Sequence, residues 1–174
     1  ALANRLTYSS SHIVGLGLRG VSPHGVKCWL YYPEDNCPFY RCTQFSLYAK
    51  KNAPADDVKL PTLRVCGNPA AATGSAAEPR SGPYWSLMFE ISESEYKPVD
   101  FGKVVEETIQ GAINTGMVEA GTEIVSIYHR RLEHGYPTPS LGRDAVLAEA
   151  LPELKKKGIW SRGRFGSYKY EVAN

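Results

Sequence analysis

The feature that most constrains this sequence is an aromatic-rich stretch, residues 27–48, which predicts two strands joined by a short polar turn. Aromatic and other β-favouring residues fill 28–32 and 40–48, and Pro33 and Pro38 interrupt the pattern between them. A long hairpin of this kind indicates a protein built on an antiparallel sheet.

Arg41 lies in the second of these predicted strands. Side chains alternate between the two faces of a strand, so Arg41 shares a face with the apolar residues Phe45 and Leu47. A guanidinium among apolar groups needs an anionic partner, because burying it unpaired is costly. Two partners are open at this point: a bound anion and a carboxylate of the protein itself.

Composition limits the class of protein. The chain has 174 residues, 43% of them hydrophobic and 22% charged, with a formal net charge of +2. We therefore expect an ordinary globular protein with a single domain over 1–174. The small net charge favours neither a nucleic acid nor a membrane partner, and no apolar run reaches the ~20 residues of a membrane helix. The start at Ala1 predicts either a secreted protein that has lost its signal peptide or a fragment.

Cysteine and histidine spacing gives no metal site. The four cysteines all lie in the first half of the chain: Cys28, Cys37, Cys42 and Cys66. They form no CxxC pair, so we predict no structural zinc. They are either disulfide-bonded in an oxidising compartment or reduced thiols in the cytosol, and three complete pairings are open. His129 and His134 are five positions apart in a predicted strand, so they face opposite sides and do not share a metal.

A glycine motif, GLGLRG at 15–20, has the spacing of a dinucleotide-binding turn. That turn requires a helix to begin directly after it and an acidic residue about 20 positions further on. Here 21–25 contains proline and glycine and cannot propagate a helix. The nearest acids, Glu34 and Asp35, fall in the predicted hairpin turn. We therefore interpret 7–20 as a strand that ends in glycines.

The remaining segments alternate irregularly between strand and helix patterns. We predict a long flexible loop over 49–83, strands over 84–92 and 124–134, a strand and a turn over 158–170, and helices over 100–117 and 144–157. Asp100 is the predicted cap of the first helix, and Pro152 predicts a kink or two pieces in the second. Its predicted inward residues are Ala145, Leu147, Leu151 and Leu154. Together these elements predict an α+β fold, a mainly antiparallel or mixed sheet with a long hairpin and two to three flanking helices.

A basic run near the end of the chain raises the question of nucleic acid. Between Lys155 and Lys169 there are six cations and no acid, interleaved with three aromatic residues. The segment RGRFG at 162–166 resembles part of an RNA-recognition strand, but an arginine stands where the aromatic residue should follow the first glycine. Nucleic-acid binding is therefore a minor alternative.

Four segments occur in a fixed order: CWLYYPEDNCPFYR, PYWSLMFEISES, HRRLEHGYPTP and IWSRGRFGSYKYEVAN. Together they resemble the sheet-bearing, later part of eukaryotic, especially fungal, UDP-galactopyranose mutase. The resemblance covers the chain outside 49–83. It implies a relationship to an FAD-dependent enzyme that interconverts the pyranose and furanose forms of UDP-galactose.

The resemblance also implies two groups of site residues. Those that match substrate-binding positions are Tyr31, Arg41, Tyr48, Tyr136 and Tyr170. Among them, Arg41 and Tyr48 match residues that hold the diphosphate. Arg164 and Asn174 match positions that contact the flavin. An arginine fork and phenolic hydroxyls are suitable donors for a diphosphate.

The sequence contains no segment that resembles the family's dinucleotide fold or its uridine-binding helical domain. Because the cofactor carries the family's chemistry, we expect a chain without bound FAD and without catalytic residues of its own. The leading hypothesis is a truncated, secreted fungal binding protein of an immunomodulatory kind. The alternative is a fragment of an active, cytoplasmic mutase.

Two partners are expected. Removal of neighbouring domains would expose apolar surface around Trp29, Tyr84, Trp85 and Phe89, which predicts a homodimer, with a disulfide through Cys37 as one way to link it. Arg41 is expected to bind phosphate or a nucleotide-sugar diphosphate weakly, because the uridine contacts of the family are not supplied by this sequence. The alternative is an ion pair of Arg41 with Glu34, Asp35 or Glu90.

Overall fold

The structure, a computed structural model, describes residues 2–65 and 78–170. Its contacts group into two compact units. The first contains residues of 1–11, 92–98 and 132–174, and the second contains residues of 12–91 and 99–131. The prediction of a single domain stays a prediction. Cys66, Asn174 and the middle of the predicted 49–83 loop lie outside the described residues.

Five strands form one sheet, in the order β2-β3-β4-β1-β5. In chain order they are β1 (Tyr8–Arg19), β2 (Trp29–Tyr31), β3 (Arg41–Gln44), β4 (Tyr84–Glu93) and β5 (Ile124–Pro137). The helices are α1 (Val104–Asn114), α2 (Arg143–Lys156) and the short α3 (Gly163–Gly166). Short 3-10 helices cover Leu2–Arg5, Phe45–Leu47 and Lys50–Asn52. The predicted α+β fold, with its antiparallel sheet and hairpin, is confirmed.

The glycine-containing strand β1 lies between β4 and β5 in the sheet. Val14, Leu16 and Leu18 alternate along it and are almost completely buried in the core, whereas Gly15 and Gly17 fall on the opposite face. The strand continues to Arg19, so the glycine motif is part of a strand, as predicted, and not a turn that opens a helix.

The core of the second unit lies between the sheet and α1. Leu87, Phe89 and Ile91 of β4 are almost fully buried, and they belong to the same cluster as Val104 and Ile109 of α1. The helix is shorter than its predicted span of 100–117. Its N-cap position is Lys103 rather than the predicted Asp100, which accepts a hydrogen bond from the Gly102 backbone at 2.9 Å.

The predicted second strand of the hairpin is wrong beyond Gln44. Only four residues of 40–48 are in β3, and the chain then turns into the 3-10 helix Phe45–Leu47. The Asn52 side-chain amide donates to the carbonyl of Phe45 at 2.9 Å, which stabilises this turn. Because the period of two ends at Gln44, Phe45 and Leu47 do not continue the face of Arg41.

Two further predictions near the end of the chain are wrong. The segment 158–170 is not a strand. It contains α3, and its backbone is incompatible with an extended run, because φ is +79° at Gly163 and +49° at Tyr168. In α2, Pro152 lies inside one helix, so the predicted alternative of two pieces is wrong, whereas the predicted kink stays a prediction. The buried residue of α2 is Val146, whereas the predicted inward residue Ala145 is exposed.

The described ends of the 49–83 segment are part of the second unit and are hydrogen-bonded to Arg19 of β1. Arg19 donates hydrogen bonds to the carbonyls of Leu60 (2.7 Å) and Ser81 (2.8 Å), and it forms an ion pair with Glu123 at 2.6 Å. These three partners hold the guanidinium in one position. Arg19 thereby fixes both described ends of the segment, at Leu60 and at Ser81, to the strand β1.

The described cysteines Cys28, Cys37 and Cys42 are all free thiols. Within residues 2–65 and 78–170, no helix is long and apolar enough to cross a membrane. The predicted exposure of Tyr84, Trp85 and Phe89 is wrong, because they are 8%, 6% and 0% exposed. These side chains pack within the unit itself. Trp29, in contrast, is 55% exposed, as predicted.

Candidate functional site

The edge strand β2 presents aromatic side chains to solvent. Trp29 and Tyr31 are two positions apart and therefore share a face, and they are 55% and 60% exposed. Leu30 between them turns to the other face and packs against the core. β2 pairs with β3 in antiparallel register, which places Tyr31 opposite Arg41.

Arg41 lies in the middle of an aromatic cluster. Its guanidinium carbon is 5.5 Å from the ring centre of Trp29 and 5.9 Å from those of Tyr31 and Tyr40. At such distances the ring electrons attract the cation. The side chain of Arg41 retains 21% of its exposure, so it lies at the surface of the sheet rather than in the core.

The anionic partner of Arg41 is Glu90 of β4. The register of β3 and β4 places the two residues opposite each other. Arg41 Nε donates to Glu90 Oε1 at 2.8 Å and Nη2 donates to Oε2 at 2.6 Å, a bidentate pair. The Tyr40 hydroxyl also donates to Glu90 Oε2, at 2.7 Å. The carboxylate is almost buried and therefore holds the guanidinium in one orientation.

Tyr48 joins the same surface through Trp29. The indole Nε1–H of Trp29 donates to the hydroxyl of Tyr48. Tyr48 as a residue is 49% exposed. The ring of Tyr48 lies edge-on to that of Phe45, with 5.6 Å between ring centres. We refer to Trp29, Tyr31, Arg41, Tyr48 and Glu90 as the Arg41 cluster. Three of the predicted substrate-binding residues are thus on one surface of the second unit.

The other predicted site residues form a group in the first unit. The guanidinium carbon of Arg164 is 4.6 Å from the ring centre of Tyr136 and 5.7 Å from that of Tyr170. The two rings are tilted by 31°, with centres 5.5 Å apart. The short helix α3 carries Arg164, and β5 carries Tyr136. Asn174, the second predicted flavin contact, lies outside the described residues.

The sequence did not predict a contact between two histidines of the second unit. His12 Nδ1 and His129 Nε2 are 2.9 Å apart, and their rings are stacked, with centres 5.2 Å apart. His12 is fully buried, whereas His129 is only partly buried. Burial lowers the pKa of His129, and the neighbouring His12 lowers it further. The residues are 117 positions apart, so no local pattern could have indicated the pair.

The Cys42 thiol is a poor candidate for nucleophilic chemistry. Burial raises the pKa of the Cys42 thiol well above its ordinary value, and the neighbouring Cys37 raises it further. The same environment raises the pKa of the Tyr32 hydroxyl to about 12, mainly through burial. These groups therefore stay protonated at neutral pH. Within the described ranges, no cluster of three or more His, Cys, Asp or Glu side chains could hold a metal ion.

No family model matches this chain, but it is similar to solved structures, among them the following two. A crystal structure of reduced UDP-galactopyranose mutase shares 40% sequence identity with a TM-score of 0.77, over 99% of this chain and 31% of the mutase chain. A putative protoporphyrinogen oxidase from Exiguobacterium sp. 255-15 shares 12% identity with a TM-score of 0.54, over 90% of this chain and 30% of the oxidase.

The two similarities support different conclusions. At 12% identity, the oxidase shows that the fold is shared and nothing more. The mutase similarity extends to the sequence and includes nearly the whole chain. In both comparisons, however, this chain spans only about a third of the solved protein. The resemblance predicted from the sequence is confirmed: over 99% of its length, this chain is similar to part of a UDP-galactopyranose mutase.

Proposed function

We propose that this chain is a binding region for the diphosphate of a nucleotide sugar and that the Arg41 cluster makes the contact. The observation that carries the proposal is the bidentate pair of Arg41 with Glu90, which holds a guanidinium in a fixed orientation on a partly exposed aromatic surface. The similarity to a mutase named for UDP-galactopyranose supplies the class of ligand.

The chemistry of the cluster suits this ligand. A guanidinium has five N–H donors, and the bonds to Glu90 engage two of them. A diphosphate would accept hydrogen bonds from Arg41 in addition to those that Glu90 accepts, or in competition with the other contacts of Arg41. The exposed hydroxyl of Tyr31 and that of Tyr48 are further donors on the same surface.

The affinity of the Arg41 cluster for UDP-galactose can be expected from the hydrogen bonds that it can form and from the costs of binding. Hydrogen bonds to charged groups contribute about 1.5–3 kcal/mol each, but association and the ordering of side chains oppose them. Glu90 also neutralises part of the charge that attracts an anion. We therefore expect a Kd on the order of millimolar for UDP-galactose.

NMR titration with UDP-galactose tests the proposal. We expect saturable shifts at Arg41, Tyr31 and Tyr48, and their loss in Arg41→Gln. Arg80→Gln is the matched control, since Arg80 is an exposed arginine of the same unit that pairs with Glu123. Uridine, which lacks phosphate, should bind more weakly than UDP-galactose. The absence of shifts, together with a less stable Arg41→Gln variant, would leave a purely structural ion pair as the better account.

A second candidate is that this sequence is a piece of a complete mutase. The observation that favours it is the 31% coverage of the mutase chain at 40% identity. FAD would then supply the chemistry of the sugar isomerisation. Arg164 fits a flavin contact, because two tyrosine rings hold its guanidinium, a donor suited to a phosphate or carbonyl oxygen.

The two candidates differ in the native gene product. A short gene that encodes a signal peptide would support a secreted binding protein, which the sequence predicts as the leading hypothesis. A longer reading frame, with intact mass to match and with turnover of UDP-galactofuranose, would support the mutase.

A further inference from the structure

A cationic surface lies at the end of the helix α2, in the first unit. Lys155, Lys156 and Lys157 are consecutive there, and all three are exposed. Glu153 pairs with Lys156 at 2.6 Å, whereas within the described ranges Lys155 and Lys157 are in no ion pair. From Lys155 to Lys169 the chain has six cations and no acid, although its net charge is only +2, so the other residues together are net negative.

The turn after α2 places two apolar side chains beside these lysines. Gly158 has a φ of +76°, the left-handed conformation that ends many helices. The backbone N–H of Ile159 donates to the carbonyl of Leu154 at 3.0 Å, which fixes the turn against the last turn of the helix. Ile159 and Trp160 are 52% and 67% exposed. Lys155 Nζ lies over the ring of Trp160, 5.0 Å from its centre, where the ring electrons attract the cation.

We propose that this surface, made of Lys155, Lys157, Ile159 and Trp160, binds the face of a membrane that contains anionic lipids. We refer to it as the Trp160 surface. Clusters of about four to eight Lys and Arg residues are attracted to the negative potential of such membranes, and five of the six cations in this segment are exposed.

The apolar side chains suit the same partner. Tryptophan is favoured where headgroups meet acyl chains, because its ring is apolar and its N–H is polar. Ile159 would leave water at the same depth, and the stem of Lys155 can lie along apolar surface while its ammonium stays among the headgroups. Stable attachment generally requires an apolar element together with a basic cluster, and the Trp160 surface has both. The proposal goes beyond diphosphate binding at the Arg41 cluster and does not depend on it.

A nucleic acid is the other polyanion that these lysines would attract. A base could stack on Trp160, but the ammonium of Lys155 already lies over that ring. An exposed isoleucine gains little from a phosphate backbone, whereas it gains free energy on leaving water for the acyl boundary. The observations therefore favour a membrane.

Co-sedimentation with lipid vesicles tests the proposal. Vesicles of phosphatidylcholine and phosphatidylserine in equal amounts should bind the protein at least about tenfold more strongly than vesicles of phosphatidylcholine alone. Raising the salt from about 0.1 M to about 1 M should weaken the binding, because it screens the attraction between charges. Equal binding to the two kinds of vesicle would overturn the proposal.

The cations are tested by the double variant Lys155→Gln, Lys157→Gln. It should bind the anionic vesicles at least about tenfold more weakly, since each cation near such a surface contributes about fivefold. Lys50→Gln with Lys51→Gln is the matched control, because it removes two exposed lysines of the second unit. Equal effects of the two double variants would contradict binding through the Trp160 surface.

The apolar part is tested by Trp160→Ser, which should weaken binding by at least about fivefold. Tyr96→Ser is the control, because Tyr96 is an aromatic residue of the first unit that is 89% exposed, and it should leave the affinity unchanged. Tryptophan emission should shift to shorter wavelength on binding, and this shift should be lost in Trp160→Ser. Circular dichroism should show that all variants are folded. Unchanged binding by folded Trp160→Ser would overturn the proposal.

Two competitors distinguish the membrane from other anions. Neither inorganic phosphate nor a single-stranded RNA of mixed sequence, each at constant ionic strength, should displace the protein from anionic vesicles. Displacement by phosphate would assign the surface to a free anion. Displacement by RNA, with the same loss of RNA binding in Trp160→Ser, would assign it to a nucleic acid. Either result would overturn the proposal.

Discussion

Glu90 is the residue on which the geometry of the Arg41 cluster depends. It is 5% exposed and receives hydrogen bonds from Tyr40 and, twice, from Arg41. A charge as buried as this is rarely found without a partner. Glu90 is the one charged residue in the largely apolar segment YWSLMFEIS. Its charge was therefore the sequence signal that Glu90 has a cationic partner.

Glu90→Gln should lower the free energy of unfolding by about 1–3 kcal/mol, because an amide NH2 replaces an acceptor and leaves donors unsatisfied. Chemical denaturation measures the effect. Glu153→Gln is the control: it removes an exposed ion pair with Lys156, and such pairs contribute about 0–1 kcal/mol. Equal, small effects in both variants would show that the Arg41–Glu90 pair adds little to stability.

The histidine pair predicts a pH dependence of stability. Burial, and then His12, lower the pKa of His129 below its ordinary value of 6.5. The unfolded chain therefore takes up a proton at higher pH than the folded one, so stability increases with pH across this window. The contribution is complete above about pH 6.5 and is lost as the pH falls through the folded-state pKa.

Urea denaturation from neutral pH down to about pH 5 tests this dependence. The free energy of unfolding should fall with pH in the unaltered protein, and the fall should be smaller in His129→Gln. His134→Gln replaces an exposed histidine outside the pair and should keep the full dependence. An identical pH profile for His129→Gln and the unaltered protein would contradict the prediction.

At the residue scale, the sequence predicted that Arg41 needs an anion and offered Glu34, Asp35 and Glu90 as carboxylate partners, but it could not choose among them. The partner Glu90 is 49 positions away. It meets Arg41 only because β3 and β4 pair in a particular register. Local periodicity indicates the face of a residue and not its neighbour across the sheet.

At the scale of elements, a side chain of β5 fills the space beside a glycine of β1. Gly17 lies opposite Ser126, where a Cβ on β1 would collide with the serine hydroxyl. Once that oxygen is removed, the next contact would be the Ser126 Cβ at 3.4 Å, an ordinary separation. The glycine is therefore required by one neighbouring atom and not by backbone conformation.

Gly17→Ala should destabilise the protein by about 1 kcal/mol, because the serine must move or the strands must separate. Ser126→Ala should recover most of this loss in the double variant, which makes the two effects non-additive. Thermal unfolding of the two single variants and the double variant measures the coupling. Strict additivity would contradict the close approach.

The errors in predicted elements have physical causes. Residues 45–48 have β-favouring side chains, but Asn52 fixes the carbonyl of Phe45 in a 3-10 turn. In 158–170, glycines with positive φ and the buried Tyr168 replace the expected strand. The Tyr168 hydroxyl donates to the carbonyl of Thr7 at 2.6 Å, 161 positions away. A side-chain hydrogen bond from seven positions away outweighed the β propensity of 45–48, and a tertiary contact did so in 158–170.

At the scale of the whole molecule, the sequence predicted the fold class because its strand and helix patterns do not alternate. It could not predict the strand order, since β1 inserts between β4 and β5. It also placed Tyr84, Trp85 and Phe89 on an exposed surface, whereas they pack within the second unit. The predicted homodimer therefore depends on the remaining exposed aromatic residues.

Those residues are on an edge of the sheet. Among the described strands, β2 is at the end of the sheet and pairs with β3 alone, and it carries Trp29 and Tyr31 on its exposed face. An unpaired edge with exposed aromatic side chains favours association with another chain. The same surface holds Arg41, so association there would compete with a diphosphate ligand.

We predict a homodimer formed through the β2 edge. Sedimentation equilibrium at micromolar concentration should give twice the mass of the chain, and Trp29→Ser should shift it toward the single-chain mass, because the substitution removes the largest apolar side chain of β2. Trp160→Ser is the matched control, since Trp160 is 67% exposed but lies in the first unit. Circular dichroism should show that both variants are folded. A single-chain mass for the unaltered protein, or equal effects of the two substitutions, would contradict dimerisation through β2.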